Sequence, residues 1–362
     1  MRWAPDSQRG VALVVALLVF ALCAALMVGL QRDFDLAYRR AANSFLGEQA
    51  WSYLLGAEEL ASLALALDAD ADAGRESPRD DLNEVWAQQA APYALDEGGW
   101  LFGQLVDLQG RFNLNALAAP QENSDRASYS AAQAAFIRLL QALEAPLLDE
   151  FQAIAITESV ADWLDADDEP RLNGAEASFY IGRTPSYRPA NRPMVDVSEL
   201  RAVANITPEI YQALLPLVTT WPRQPSTINI HTASLPLLRA INADGTLNPL
   251  SEGEGERLLQ LREEGGYESL EAFFQNEVFS GLTMDAAATL LGESSSYFLL
   301  SARVEIAERE RRLYSVLQRE ARAVSVLQRK IPSFYDNAYD NAYDNAYDKA
   351  YDTAVAATEP SR

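Results

Sequence analysis

The sequence predicts an α+β protein in which one long N-terminal transmembrane helix carries a small α/β head, with a large helical domain inserted into that head. Three observations predict it. Residues 11–30 read VALVVALLVFALCAALMVGL without a charged side chain. Strand-like runs occur near Trp100 and again over Ser296–Leu317. The long stretch between them carries helical spacing broken by Pro and Gly.

The apolar run from Val11 through Val15 to Leu30 matches the roughly 20 residues that cross a hydrocarbon core as a helix. A secretory signal has a shorter apolar region and a small-residue cleavage site, whereas here helix-compatible sequence continues to about Leu60. Arg2 and Arg9 outnumber Asp6 ahead of the span. The positive-inside rule therefore expects a single-pass inner-membrane protein, N-terminus cytoplasmic and bulk periplasmic. Past the span, Phe34, Tyr38, Phe45, Trp51 and Leu55 keep near-helical spacing, so the outer half of the helix is expected to pack on the head.

The Asp-, Gly- and Pro-rich segment DADADAGRESPRDD breaks the helix, and Asp81–Trp86 is expected to open a short amphipathic helix. Trp100–Leu117 reads as a hairpin turning at Gln109-Gly110. Helices are expected over Ser130–Phe151 and Ile154–Trp163, with several shorter ones to about Leu291. Strands over Ser296–Ile306 and Arg311–Leu317 would complete the sheet. The chain thus divides into a leader (1–10), a transmembrane and extended helix (11–60), the first part of the head (61–125), the inserted domain (126–291), closing strands (292–330) and a tail (331–362). In the tail a Tyr-Asp-Asn-Ala repeat sets Tyr335, Tyr339, Tyr343, Tyr347 and Tyr351 at a period of four among acidic and small residues, and disorder is expected.

Fifty-two acidic residues against 29 basic ones give a net charge of −23, which repels nucleic acid phosphates. The single cysteine, Cys23, lies inside the apolar run, so no intramolecular disulfide can form. A lone histidine, His231, removes His-based metal clusters and reads as a structural residue. Asp162, Asp165, Asp167, Asp168, Glu169, Asn173 and Glu176 place hard oxygen ligands within fifteen residues, the chemistry calcium prefers. The block lacks the glycine spacing of an EF-hand, and its pattern is equally that of a solvated acidic loop. No spacing separates a nucleophile–base pair from ordinary acidic surface, and no enzymatic activity is expected.

A short polar leader ending in Gln8-Arg9-Gly10, followed at once by the apolar helix, resembles the leader of type IV pilins and pseudopilins. Four further blocks extend the resemblance: Asp107–Asn115, Asp162–Asp167 through Asn173–Glu176, Tyr187–Met194 with Glu199-Leu-Arg201, and Ile228–Ala233. Most pilins carry Glu at the fifth mature position, where this chain has Val15, and the K-type subunits of type II secretion are the members that typically lack it. The whole order is similar to the K-type minor pseudopilins. That resemblance implies cleavage by a prepilin peptidase between Gly10 and Val11, with methylation of the new N-terminus. It implies a pseudopilus tip built with I- and J-type minor pseudopilins above H-type and major pseudopilins, acting on secreted substrates. It also implies an inserted domain of SAM-like, helix-hairpin-helix-like type that binds calcium (Ca2+), with Asp162, Asp165, Asp167, Asp168 and Glu176 as candidate ligands and Asp165 and Asp167 leading. The competing reading is a membrane-anchored DNA-uptake protein, because Ile228–Phe274 resembles helix-hairpin-helix modules. Its hairpin, however, reads NADGTLNPLSEGEGE, acidic where phosphate would sit, so no nucleic acid partner is expected.

Overall fold

The computed structural model describes residues 9–75, 78–88, 90–96, 98–118, 129–307 and 309–331. The expected disordered tail, beyond Ile331, and most of the leader lie outside the described residues. Helix α1 spans Arg9–Asp72 without a break and ends inside the segment DADADAGRESPRDD. No proline interrupts it, and its most apolar stretch is uncovered. One face of its outer half buries Ala50, Leu54, Ala57, Ala61 and Leu65, spaced by three and four residues. They pack on an antiparallel sheet that contributes Leu105, Phe298, Leu300, Ala302, Val304, Leu313 and Leu317.

The sheet begins with β1 (Tyr93–Ala94) and β2 (Trp100–Asp107). The chain then leaves it through β3 (Phe112–Asn113), α2 (Ala131–Gln141), α3 (Glu150–Leu164), α4 (Ala177–Ile181), α5 (Pro208–Leu214), β4 (Val218–Thr219), β5 (Ile228–Asn229), α6 (Leu235–Arg239), α7 (Glu252–Gly265), α8 (Leu270–Phe274), α9 (Asp285–Ala288) and β6 (Leu291–Gly292). It returns as β7 (Tyr297–Ile306), β8 (Arg309–Glu320) and β9 (Ala323–Lys330), in the order β1-β2-β7-β8-β9. Strand β2 pairs with β7 along its whole length, from Trp100 opposite Glu305 to Asp107 opposite Phe298. Between these two neighbours the chain builds a second core around Phe112, Leu114, Phe136, Ile137, Val160, Tyr180, Leu200, Leu238 and Phe273.

Three local expectations are corrected. Gln109-Gly110 is a crossover rather than a hairpin turn. The Asp107 carboxylate accepts the Gln109 N–H at 2.7 Å, and Phe112 then stacks on Phe136 at 5.1 Å in the second core. A Cβ on Gly110 would stand 2.5 Å from Thr232 Oγ1, so only glycine fits where the chain passes. Asp81–Trp86 forms turns rather than a helix: Asp81 accepts from the Asn83 amide, and Glu84 accepts from the Asp81 amide and the Trp86 indole, offering the backbone an alternative to the helical ladder. The expected helix over Ser130–Phe151 is two helices separated around Pro146, each opened by a capping box, Ser130 with Gln133 and Asp149 with Gln152.

Polar side chains stitch the two cores together. Buried Asp107 accepts from Thr232 Oγ1 at 2.5 Å, Ser295 Oγ at 2.7 Å and Asn229 Nδ2 at 3.2 Å. Arg319 on β8 pairs with Asp68 of α1 at 2.6 Å and with fully buried Asp80. His231 donates its backbone N–H to Asn229 Oδ1, and its buried Nε2 has no hydrogen-bond partner among the described residues. Burial, aided by Arg79, pushes its pKa down to about 4, so it is held neutral.

Candidate metal centre and assembly face

Helix α3 carries Asp162 in its last turn, and Asp165 caps its end. The following loop folds back so that Arg171 Nη1 bridges Asp162 at 2.5 Å and Asp165 at 2.6 Å, while the Arg171 amide donates to Asp162 Oδ2 at 3.2 Å. Gly174 is required by this closure, since a Cβ there would lie 2.0 Å from Asp162 Oδ2. The Asn173 amide donates to Glu158 at 2.6 Å and the Glu169 amide to Asp167 at 2.9 Å, which fixes the loop from both sides.

Asp165, Asp167 and Glu176 each offer a carboxylate oxygen within 4.8 Å of the others. Glu176 is 2% exposed, and neither of its oxygens has a hydrogen-bond partner among the described residues. Asp165 Oδ1 is likewise buried without one. Burial, together with the charges of Asp162 and Asp165, pushes the Glu176 carboxyl up to about 7. One guanidinium shared by two aspartates leaves this group of hard oxygens short of positive charge, and a hard cation fits that deficit. Of the five candidate ligands the fold gathers Asp165, Asp167 and Glu176; Asp165 shares Arg171 but keeps Oδ1 without a partner among the described residues, whereas both oxygens of Asp162 are taken by Arg171 and Asp168 accepts from Asn191 Nδ2 at 3.3 Å.

Asn191 is absent from the sequence-derived set. It sits in the left-handed region at φ 44°, its Nδ2 donates to the Asp167 carbonyl at 2.9 Å, and its Oδ1 is buried without a partner among the described residues. The one local signal is Asn itself, the residue that most readily accepts that backbone outside glycine.

A second feature lies along α1. Tyr38, Phe45, Leu63 and Leu67 are 67%, 66%, 53% and 55% exposed. At about 100° per residue they fall on one side of the helix, turned away from the face that packs on the sheet. Beside them an apolar groove of about 280 Å3 is lined by Leu60, Ala64, Val85, Trp86, Tyr93 and Leu101. Gly10 and Val11 stand in the first turn of α1, and Val15 and Leu30 follow within the same unbroken helix. In the segment with helix-hairpin-helix character, Arg262 Nη1 donates to the Ala233 carbonyl at 2.5 Å and the Ile230 carbonyl at 3.3 Å, so its charge faces inward. The start of α7 carries Glu252 and Glu254, which oppose an anion there.

Comparison with known proteins places these features. Two family models described as type II secretion system protein K match residues 110–223 and 228–293. The protein of that name from Pseudomonas aeruginosa is 34% identical over 313 residues, 86% of this chain and 89% of that protein. The one from Klebsiella pneumoniae is 32% identical over 312 residues, 86% of this chain and 92% of that protein. A chain in the crystal structure of the GspK-GspI-GspJ complex from the enterotoxigenic Escherichia coli type 2 secretion system superposes with a TM-score of 0.69 at 28% identity, covering 81% of this chain and 99% of that one. With an apolar N-terminal helix ahead of the matched region, the chain belongs to the type II secretion system protein K family and is a minor pseudopilin.

Proposed function

We propose that this minor pseudopilin forms the tip of the type II secretion pseudopilus, nucleates its assembly with I- and J-type partners, and so supports export of folded periplasmic proteins across the outer membrane. The observation that carries the reading is the two-faced α1: one side is covered by the sheet, and the other leaves Tyr38, Phe45, Leu63 and Leu67 open for neighbouring helices. The solved relative was captured with GspI and GspJ, which supports those two as partners. The domain between β2 and β7, read as the SAM-like insertion, is bulky enough to obstruct addition of a further subunit above. Val15, lacking the acidic group most pilins carry, removes the usual means of engaging one.

In this reading a prepilin peptidase cuts between Gly10 and Val11 on the cytoplasmic side, the new N-terminus is methylated, and residues 11–30 hold the subunit in the inner membrane with the bulk in the periplasm. H-type and major pseudopilins continue the filament below, and the chain has neither enzymatic activity nor a nucleic acid partner. Calcium is held by Asp165, Asp167 and Glu176, with Asp162 and Asp168 around them, and supplies the charge that closes the loop after α3. The test is co-purification: Leu63→Asp with Leu67→Asp should abolish recovery of the I- and J-type subunits while the protein remains folded by circular dichroism. Undiminished recovery would remove the assembly role from this face of α1.

A further inference from the structure

A basic island lies at the edge of the second core. Residues 177–195 hold Arg183, Arg188 and Arg192 and no acidic residue, in a chain of net charge −23. Residues 181–188 are exposed throughout. Arg192 lies 3.6 Å from Glu199, whereas Arg183 and Arg188 have no carboxylate partner among the described residues. The Arg183 guanidinium instead stands 4.4 Å over the ring of Phe179. Phe179 and Tyr187 are themselves 39% and 36% exposed, so the island offers cations and aromatic faces together.

The chain's own C-terminal segment begins beside this island. Lys330, the last residue of β9, pairs with Asp196 at 3.4 Å, and Asp196 directly follows the basic stretch. Residues 332–362 carry Asp336, Asp340, Asp344, Asp348, Asp352 and Glu359 against Lys349 and Arg362. Each of the five aspartates is preceded by a tyrosine. We propose that the Tyr-Asp-Asn-Ala repeat is an internal ligand of the arginine island, its carboxylates pairing with Arg183, Arg188 and Arg192 and its tyrosines stacking on the same guanidinium planes.

Reach and energetics agree. Four residues lie between Ile331 and Asp336, a span of at most about 18 Å, and three lie between Asp196 and Arg192. A single exposed Arg–carboxylate pair is weak. Five equivalent Tyr-Asp units on a short tether act instead at millimolar effective concentration, and any of them can replace another on the island. The association is therefore dynamic, depends on salt, and tolerates loss of any single repeat unit.

The test uses the full-length protein in detergent micelles at low salt, with the photocrosslinker benzoylphenylalanine in place of Tyr339. Irradiation should join this position to residues 177–195 within one molecule. The yield should fall at least about fivefold in roughly 0.5 M NaCl, and by a similar factor in Arg183→Glu with Arg188→Glu, two exposed substitutions that leave the core intact. A crosslink at wild-type yield in the charge-reversed protein, one mapping elsewhere in the chain, or one formed only between molecules would overturn the proposal.

Discussion

Two triads of carboxylates among the described residues are close enough to share one cation, Asp68–Asp80–Glu84 at the junction of the cores and Asp165–Asp167–Glu176 after α3, and they are neutralised differently. In the first, Arg319 spans Asp68 and Asp80 and Arg75 reaches Glu84 at 3.0 Å, so each carboxylate has a guanidinium. In the second, Arg171 serves Asp162 and Asp165, and Glu176 is left with two buried oxygens and no partner among the described residues. Density of acidic residues is the same signal in both. Unsatisfied oxygen atoms are what distinguish a cation site from an internal ion-pair network.

The largest way to break the comparison is Arg319→Met. It strands Asp80 and Asp68 in low dielectric, and chemical denaturation should show a loss of about 3–5 kcal/mol. Adding Asp68→Asn and Asp80→Asn should recover most of it; no recovery would mean the guanidinium acts by packing on Phe298, over which it lies at 5.0 Å. His231 is a third case, a buried group on which burial and the charges of Arg79 and Arg262 outweigh Asp81, so that it sheds its proton. Its pKa lies near 4 in the fold and about 6.5 when unfolded, so the unfolded chain binds more protons between those values and stability falls as pH drops through that window. The loss totals about 3 kcal/mol, and His231→Gln should flatten that part of the pH profile. Unchanged profiles would mean the ring is solvated in solution.

Calcium at a hundredfold excess over its dissociation constant should stabilise the wild type by about 2.7 kcal/mol in thermal denaturation. Glu176→Gln should abolish that response and Asp68→Asn should leave it intact; the reverse result would exchange the roles of the two triads. The smallest effect tests the scaffold rather than the charges. Asp149 caps α3 by accepting the Gln152 amide at 2.8 Å, so Asp149→Ala should cost about 1 kcal/mol without altering the calcium response. A lost response would show that the far end of α3 is positioned from its start.

What could be read from the sequence follows from how local each signal is. The apolar N-terminal part of α1 announces itself in 20 uncharged residues, and the part packed on the sheet in three- and four-residue spacing. Strands β7 and β8 stand out as apolar runs. Strand β9 does not, because it lies at the sheet edge and alternates exposed with half-buried positions, so AVSVLQRK carries no strong apolar face. The crossover at Gly110 is equally silent: β2 pairs with β7, far downstream, and Thr232 is what forbids a side chain there. In the acidic loop, the crowding of carboxylates points to Asp165, Asp167 and Glu176. Nothing local separates them from Asp162, which a backbone amide and Arg171 claim only after folding, and Asn191, 24 residues past Asp167, is marked by nothing but its being Asn.

The unbroken α1 has a mechanical consequence. At about 1.5 Å per residue its 64 residues make a column about 96 Å long. The outer part is clamped along the sheet by Ala50, Leu54, Ala57, Ala61 and Leu65, and by Glu58, which takes Arg329 at 2.7 Å and Ser315 at 2.6 Å. With no proline hinge between the apolar foot and the clamp, an axial thrust or a turn applied at the N-terminal end is delivered to the head as displacement rather than absorbed at a kink.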